Sequence, residues 1–254
     1  MARLSSAQMN TPRFFCPSPL PQAGEIVLPD EVNHHIRVRR LKAGDSLILF
    51  DGSGAQWQAT LAFGVGGRAR AQVTHQCSVD RELKGRISLI QGIASQDRMD
   101  WVVEKAVELG VVRLIPVASA RSVVKLSQER AAKRTAHWQR LACSAAEQCG
   151  RNRLMTVQAP TDLNQAIDMC SAEPMLLCHL SEPIHALDTP ELLEQLAHAG
   201  AVTVIVGPEG GWSPDEAAKW LGAGARPISL GARTLRTETA GLVAIAQLSA
   251  LLRW

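Results

Sequence analysis

Two textures of apolar and polar residues divide the chain. Over roughly the first eighty residues, short apolar runs are bounded by turn signals. Glu25 to Leu28, Ser46 to Phe50, Gln56 to Phe63 and Ala69 to His75 read as strands, with Ala43-Gly44-Asp45 and Asp51-Gly52-Ser53-Gly54 as turns. A short helix is predicted over Asp30 to Arg40, N-capped by Asp30. Close strands with one helix suggest a small β-barrel. After the polar stretch Val79 to Gly85, apolar strand-like runs alternate with amphipathic windows, the pattern of an α/β domain on a mostly parallel sheet. Its predicted strands are Ile87 to Ile93, Val112 to Val117, Met155 to Gln158, Met175 to Leu180, Val202 to Val206 and Pro227 to Leu230. The window Asp97 to Leu109 sets Met99, Val102, Val103, Ala106 and Val107 on one face and stops at Gly110. The expected division is therefore 1–80 and 81–254.

Composition excludes several classes. The 6 cysteines form no CxxC pair and no Cys/His set has zinc spacing, so free thiols and no metal are expected. Met1 to Asn10 lack the apolar core of a signal peptide. Ala240 to Leu252 is broken by Gln247 and Ser249 and falls short of the roughly 20 residues that span a bilayer. A cytoplasmic protein without a membrane anchor is expected. In that last segment Leu242, Val243, Ile245, Ala246, Leu248, Leu251 and Leu252 spread round more of a helix than one core needs. They point to an interface helix, with burial inside one monomer as the alternative.

The net charge of +3 is unevenly placed: up to Arg86 there are 11 basic against 7 acidic residues, and from Leu154 to Ala218 there is no Lys or Arg. A second basic stretch runs from Arg113 to Arg153 and includes Lys125. A polyanionic partner suits these two regions, although a basic stretch can also be no more than a solvated face.

The chemistry concentrates in two glycine-bearing junctions. From Val202 to Glu216 a buried strand ends at Gly207-Pro208-Glu209-Gly210-Gly211, then Ser213 caps a helix with Pro214 at its first position and Glu216 closing a capping box. Such junctions build ligand sites at the carboxyl ends of parallel strands. The spacing is neither GxxxxGK[ST] nor GxGxxG, and Glu209 stands where a phosphate would sit, so a ligand without phosphates fits better. A tight turn with no ligand is the plainer reading. From Ser229 to Ala240 the chain again leaves a strand through a glycine and enters a helix, gathering Arg233, Arg236 and Glu238, which could equally be a helix cap and an ion pair.

These segments, with Pro12-Arg-Phe-Phe15, His34-His35, Arg40-Leu-Lys42, Gly44-Asp45, Glu104 to Gly110, Arg121-Ser-Val-Val124 and Ala146 to Arg151, occur in an order that resembles the RsmE-type uridine N3-methyltransferases of bacterial small-subunit (16S) ribosomal RNA. The resemblance spans nearly the whole chain. It implies a PUA-like N-terminal barrel, a SPOUT domain with a C-terminal trefoil knot, and a homodimer. It implies S-adenosyl-L-methionine as cofactor, held by Gly207, Pro208, Glu209, Gly210, Gly211, Leu230, Gly231, Leu235 and Arg236. Small-subunit ribosomal RNA, naked or assembled, would be the partner, contacted by Arg13, Arg37, Arg39, Arg40 and Lys42 where the charge excess lies. Arg236, with Arg121 as second candidate, would stabilise the developing charge, and Glu238, or secondarily Glu209, would take the proton. Two departures stand out: Ser95-Gln96 precede Asp97-Arg98 where that family usually has a Lys, and Arg39 stands where an apolar residue is expected. Two rival classes are a non-catalytic RNA-binding protein on the same fold and a dehydrogenase or hydrolase. The latter lacks its fingerprint here.

Overall fold

The computed structural model describes residues 11–17, 19–122, 128–179 and 185–254. Met1 to Asn10, Val123 to Lys125 and Leu180 lie outside them. The chain divides into two compact units: residues 1–82 with 146–154, and residues 83–145 with 155–254. The expected boundary near residue 80 leaves out the short return of the chain at 146–154.

The first unit is a mixed five-stranded sheet with one helix. Strands β1 (Arg13–Phe15), β2 (Gly24–Val27), β3 (Ser46–Phe50), β4 (Gln56–Phe63) and β5 (Ala69–Cys77) lie in the order β1-β3-β4-β5-β2. Only the β1–β3 pair is parallel. Strand β1 has too few residues for an alternating pattern to register, so the sequence does not announce it. Helix α1 (Asp30–Val38) turns Val32 and Ile36 onto a core of Phe14, Leu28, Leu47, Leu49, Trp57 and Leu61. Its N-cap is Pro29 rather than the expected Asp30, whose carboxylate lies 3.5 Å from Arg68 instead. Asn33 ties the helix to the sheet, accepting from the Ala69 N–H at 2.7 Å and donating to the Leu28 carbonyl at 3.3 Å.

The 146–154 segment joins this unit through buried polar contacts. Glu147 Oε1 accepts from the Phe15 N–H at 2.9 Å, Arg151 pairs with Glu82 at 2.5 Å, and Asn152 donates to the Val79 carbonyl at 2.8 Å. Burial pushes the Glu147 carboxyl above its usual range despite the Phe15 N–H and nearby His35 and Arg39. These partners are non-local in sequence, so no periodicity could register them.

The second unit carries an all-parallel seven-stranded sheet. Strands β6 (Arg86–Gly92), β7 (Arg113–Val117), β8 (Thr156–Val157), β9 (Met175–Cys178), β10 (His185–Ala186), β11 (Ala201–Val206) and β12 (Arg226–Ser229) run in the order β10-β12-β9-β11-β6-β7-β8. Helices are α2 (Gln96–Glu108), α3 (Gln128–Cys149), α4 (Leu163–Cys170), α5 (Pro190–Ala199), α6 (Pro214–Gly222) and α7 (Thr237–Leu252). Every residue of β11 is buried, as a central parallel strand covered on both faces requires, and this explains why its residues are apolar except for Thr203, whose hydroxyl donates to Glu173 Oε2 at 3.0 Å. Trp212 and Trp220 pack edge-on, with ring centroids 5.6 Å apart, in the core beside Ile205 and Leu177.

Helix α7 lies against the sheet at Gly241, where a Cβ would meet Leu89 and Val206 methyls at 3.2 Å. Ala244, Ile245 and Leu248 are buried within this chain, while Ala246 and Leu251 are exposed. Leu248 therefore belongs to the unit's own core, a correction to its expected place at an interface. Among the described residues no helix is long and apolar enough to cross a membrane.

Candidate cofactor and substrate cleft

The carboxyl ends of β9, β11 and β12 open into one cleft of about 680 Å³, within the size range of small-ligand sites. Its walls are Gly207 to Trp212, leaving β11, and Leu230 to Thr237, leaving β12, with Cys178 and His179 at the end of β9. Burial lowers the His179 pKa and pushes the Cys178 thiol up to about 12, so both are neutral near pH 7.

The first wall is shaped by close backbone approach. Gly211 adopts φ +68° and its N–H donates to the Pro208 carbonyl at 2.8 Å. A Cβ on Gly210 would stand 3.0 Å from Arg121 Cβ, and one on Gly92 only 2.5 Å from Pro208 N. The capping box expected after this wall is present: Ser213 N–H donates to Glu216 Oε2 at 2.8 Å and Glu216 N–H to Ser213 Oγ at 3.3 Å. Pro214 starts α6 as anticipated. In the second wall Gly231 adopts φ +105°, and its N–H donates to Ser229 Oγ at 3.2 Å.

A buried polar node joins the two walls. Gln91, fully buried on β6, donates from Nε2 to Thr237 Oγ1 at 2.8 Å and to the Gly207 carbonyl at 3.3 Å, and Thr237 itself donates to Gly207 O. Losing one partner of such a node leaves buried polar atoms unpaired, at about 1–3 kcal/mol each.

Charged groups fall into two sets. Glu209 Oε1 accepts from the Ser95 N–H at 2.8 Å and lies 3.3 Å from Arg98. Burial alone would raise the Glu209 carboxyl, but the Ser95 hydrogen bonds and Arg98 outweigh it and hold the group below its usual range. Arg98 also reaches Glu238 Oε2 at 3.8 Å, and Arg121 spends its Nη1 on the carbonyls of Gly210 at 3.1 Å and Trp212 at 3.4 Å. Arg233 and Arg236 form the second set. Both are exposed on the second wall, and among the described residues the ion-pair partner of Arg236 is Glu238 Oε1, at 4.0 Å.

Every residue expected around a cofactor, Gly207 to Gly211 with Leu230, Gly231, Leu235 and Arg236, lines this one cleft together with Arg121. Glu238 differs. It sits in the first turn of α7, 15% exposed, between Arg98 and Arg236 and outside the cleft wall. Sequence reasoning overlooked Arg98, Gln91 and Gly92. A lone glutamine inside the apolar run Ile87 to Ile93 is the signal that could have marked Gln91.

In the first unit Arg37, Arg39, Arg40 and Lys42 are exposed on and after α1, and Arg40 takes a left-handed φ of +55°. Arg13, also expected at the RNA surface, is half-buried with its partners inside the unit. Its guanidinium lies over the Phe50 ring and donates to Gln56 Oε1 at 2.9 Å, Asn152 Oδ1 at 2.6 Å and the Arg151 carbonyl at 3.3 Å. Burial, then Arg81, lowers its pKa to about 10.

Fold and cleft define the class: an α/β protein with a small-ligand site at the carboxyl edge of a parallel sheet, preceded by a small β-rich unit. Comparison with known proteins sharpens this. The sequence profile of the RNA methyltransferase domain matches residues 81–249, and that of the RNA methyltransferase PUA domain matches residues 28–63. The ribosomal RNA small subunit methyltransferase E of Synechocystis is 33% identical over 85% of this chain and 69% of its own length. The crystal structure of the Neisseria gonorrhoeae enzyme of the same name, bound to S-adenosyl methionine, superposes with a TM-score of 0.86 at 38% identity, covering 95% of this chain and 98% of that one. A methyltransferase from Legionella pneumophila in complex with the same cofactor gives 0.87 at 31% identity over 95% and 98%. The chain belongs to the ribosomal RNA small subunit methyltransferase E family.

Proposed function

We propose that this protein methylates N3 of a uridine in small-subunit (16S) ribosomal RNA, with S-adenosyl-L-methionine held between the two cleft walls. One observation carries the reading: two glycine-bearing loops far apart in sequence face each other across a single cleft, in a family whose solved relatives bind that cofactor. The residues fit the group. Gly210, Gly211 and Gly231 keep side chains away from the ligand, backbone groups line the walls, and Val206, Ile228, Leu230 and Leu235 give apolar surface. The cofactor supplies a methyl group activated by its sulfonium.

Uridine N3 lies on the pairing edge and carries a proton, so the base must be unpaired or flipped out to react. As the proton leaves, negative charge spreads to the uracil oxygens, and a fixed guanidinium lowers the cost of that charge. The position of Arg236 on the cleft wall, with no hydrogen bond from its guanidinium among the described residues and Glu238 4.0 Å away, supports this role. Arg121 has its guanidinium on the first wall's carbonyls, which favours a role in holding that wall. Glu238, expected as proton acceptor, pairs with two guanidiniums outside the wall, which favours a positioning role on Arg236. Arg236→Ala is expected to slow single-turnover methyl transfer by about a hundredfold or more, with cofactor affinity changed much less. Near-wild-type turnover would remove Arg236 from the mechanism.

Exposed Arg37, Arg39, Arg40 and Lys42 support RNA binding by the first unit. The partly uncovered Leu242, Val243, Ala246 and Leu251 of α7 support a homodimer. A cytoplasmic location follows from a ribosomal substrate. Consecutive strands β11 and β12 flank β9, an arrangement that accommodates the knotted path implied by the family resemblance.

A further inference from the structure

We infer that Arg233 is a phosphate contact on the catalytic unit itself, holding the RNA backbone beside the target nucleotide at the mouth of the cleft. The inference rests on the RNA methyltransferase reading and adds to it a second nucleic-acid contact, separate from the basic first unit.

The argument is one of charge balance. Among the described residues, four guanidiniums but one carboxylate line the cleft. The cofactor cannot account for this excess, because its sulfonium and ammonium outweigh its single carboxylate and leave it a net cation. Two of the four guanidiniums are consumed internally: Arg98 by Glu209, and Arg121 by the carbonyls of Gly210 and Trp212. Arg236 keeps a distant partner in Glu238, at 4.0 Å. Arg233 has no hydrogen bond or ion pair among the described residues, yet it lines the cleft and is exposed.

Local structure explains how it is presented. Between β12 and α7 the chain has no regular structure, and Gly231 at φ +105° turns it outward. Three residues after Arg233, Arg236 caps α7 and fixes the loop's far end through its carbonyl, which accepts from Ala240 N–H at 2.9 Å. Arg233 therefore projects from a loop anchored at both ends. A uridine entering the cleft brings its two flanking phosphates to the rim, where an uncommitted guanidinium can accept one in a bidentate pair.

The test is equilibrium binding of unmethylated small ribosomal subunits by the full-length protein, wild type against Arg233→Gln and Arg233→Lys, over about 50 to 300 mM KCl. A phosphate contact on single-stranded RNA contributes a slope of about 0.7 in log affinity against log salt, or about fivefold in affinity at 0.1 M relative to 1 M. Arg233→Gln is expected to weaken binding about fivefold near 0.1 M salt and to flatten the slope by about 0.7. Arg233→Lys should restore the slope, and cofactor affinity by calorimetry should stay within about twofold in both. An unchanged slope in Arg233→Gln would overturn the inference. A tenfold loss of cofactor affinity would do so too, assigning Arg233 to the cofactor's carboxylate. Because binding is read at equilibrium, absence of methyl transfer by the wild type would count against the enzymatic reading alone.

Discussion

Gly92 is the sharpest point at which the geometry of the first cleft wall can be tested. It ends β6 and does not line the cleft, and its φ is not in the left-handed region, so alanine strains no backbone angle there. The added methyl carbon would, however, stand 2.5 Å from Pro208 N and 2.9 Å from the Gly207 carbonyl carbon, with Pro208 Cδ closer still. Ordinary contact begins near 3.4 Å, so the 207–211 wall must retreat by about 1 Å, because the obstacle is backbone rather than a flexible side-chain tip. Overpacking of this kind costs about 1–3 kcal/mol. If the wall moves to relieve it, that energy is taken from ligand contacts, so affinity falls by roughly five- to hundredfold at 1.4 kcal/mol per tenfold. The assay is calorimetric titration of Gly92→Ala with S-adenosyl-L-methionine, with circular dichroism and thermal unfolding as checks on folding. A folded Gly92→Ala that binds the cofactor within twofold of wild type would refute the claim that close approach at Gly92 sets the cleft's shape.

Arg13→Ala removes an inward guanidinium, strands Asn152 Oδ1 and leaves Gln56 Oε1 with a long 3.5 Å bond from Arg81, so it is expected to destabilise the protein by about 2 kcal/mol in denaturant titration. The salt slope of RNA binding should be unchanged; a flatter slope would return Arg13 to the RNA surface. On α7, Ala246→Glu is expected to give folded monomers by light scattering, and a folded dimer would exclude that face from an interface. Leu248→Asp should fail to fold in any oligomeric state, because its side chain is fully buried in its own chain.

Much of the second unit was legible because its signals are local. The run Val202 to Val206, apolar but for Thr203, is what a doubly covered parallel strand requires, and Ser213-Pro214 with Glu216 writes a helix start in four residues. The two glycine exits lie near strand ends for the same reason. What stayed hidden depends on contacts between distant segments. Arg13 reads as part of a basic surface until Gln56 and Asn152 are found around it, and nothing local in 146–154 marks its place in the first unit until Glu147 meets Phe15. Leu248 could not be told from its exposed neighbours because an apolar helix carries no mark of which side the sheet covers. For Glu238 the sequence offered a proton acceptor or an ion pair with its neighbour Arg236, but not the second partner Arg98, well over a hundred residues earlier.

The most direct test of the central claim is nucleoside analysis by mass spectrometry after incubating the wild-type protein with methyl-labelled S-adenosyl-L-methionine and unmethylated small ribosomal subunits. The account predicts label in N3-methyluridine alone, at a single position of the small-subunit RNA. Label in any other nucleoside, or none under conditions where the cofactor binds, would contradict it.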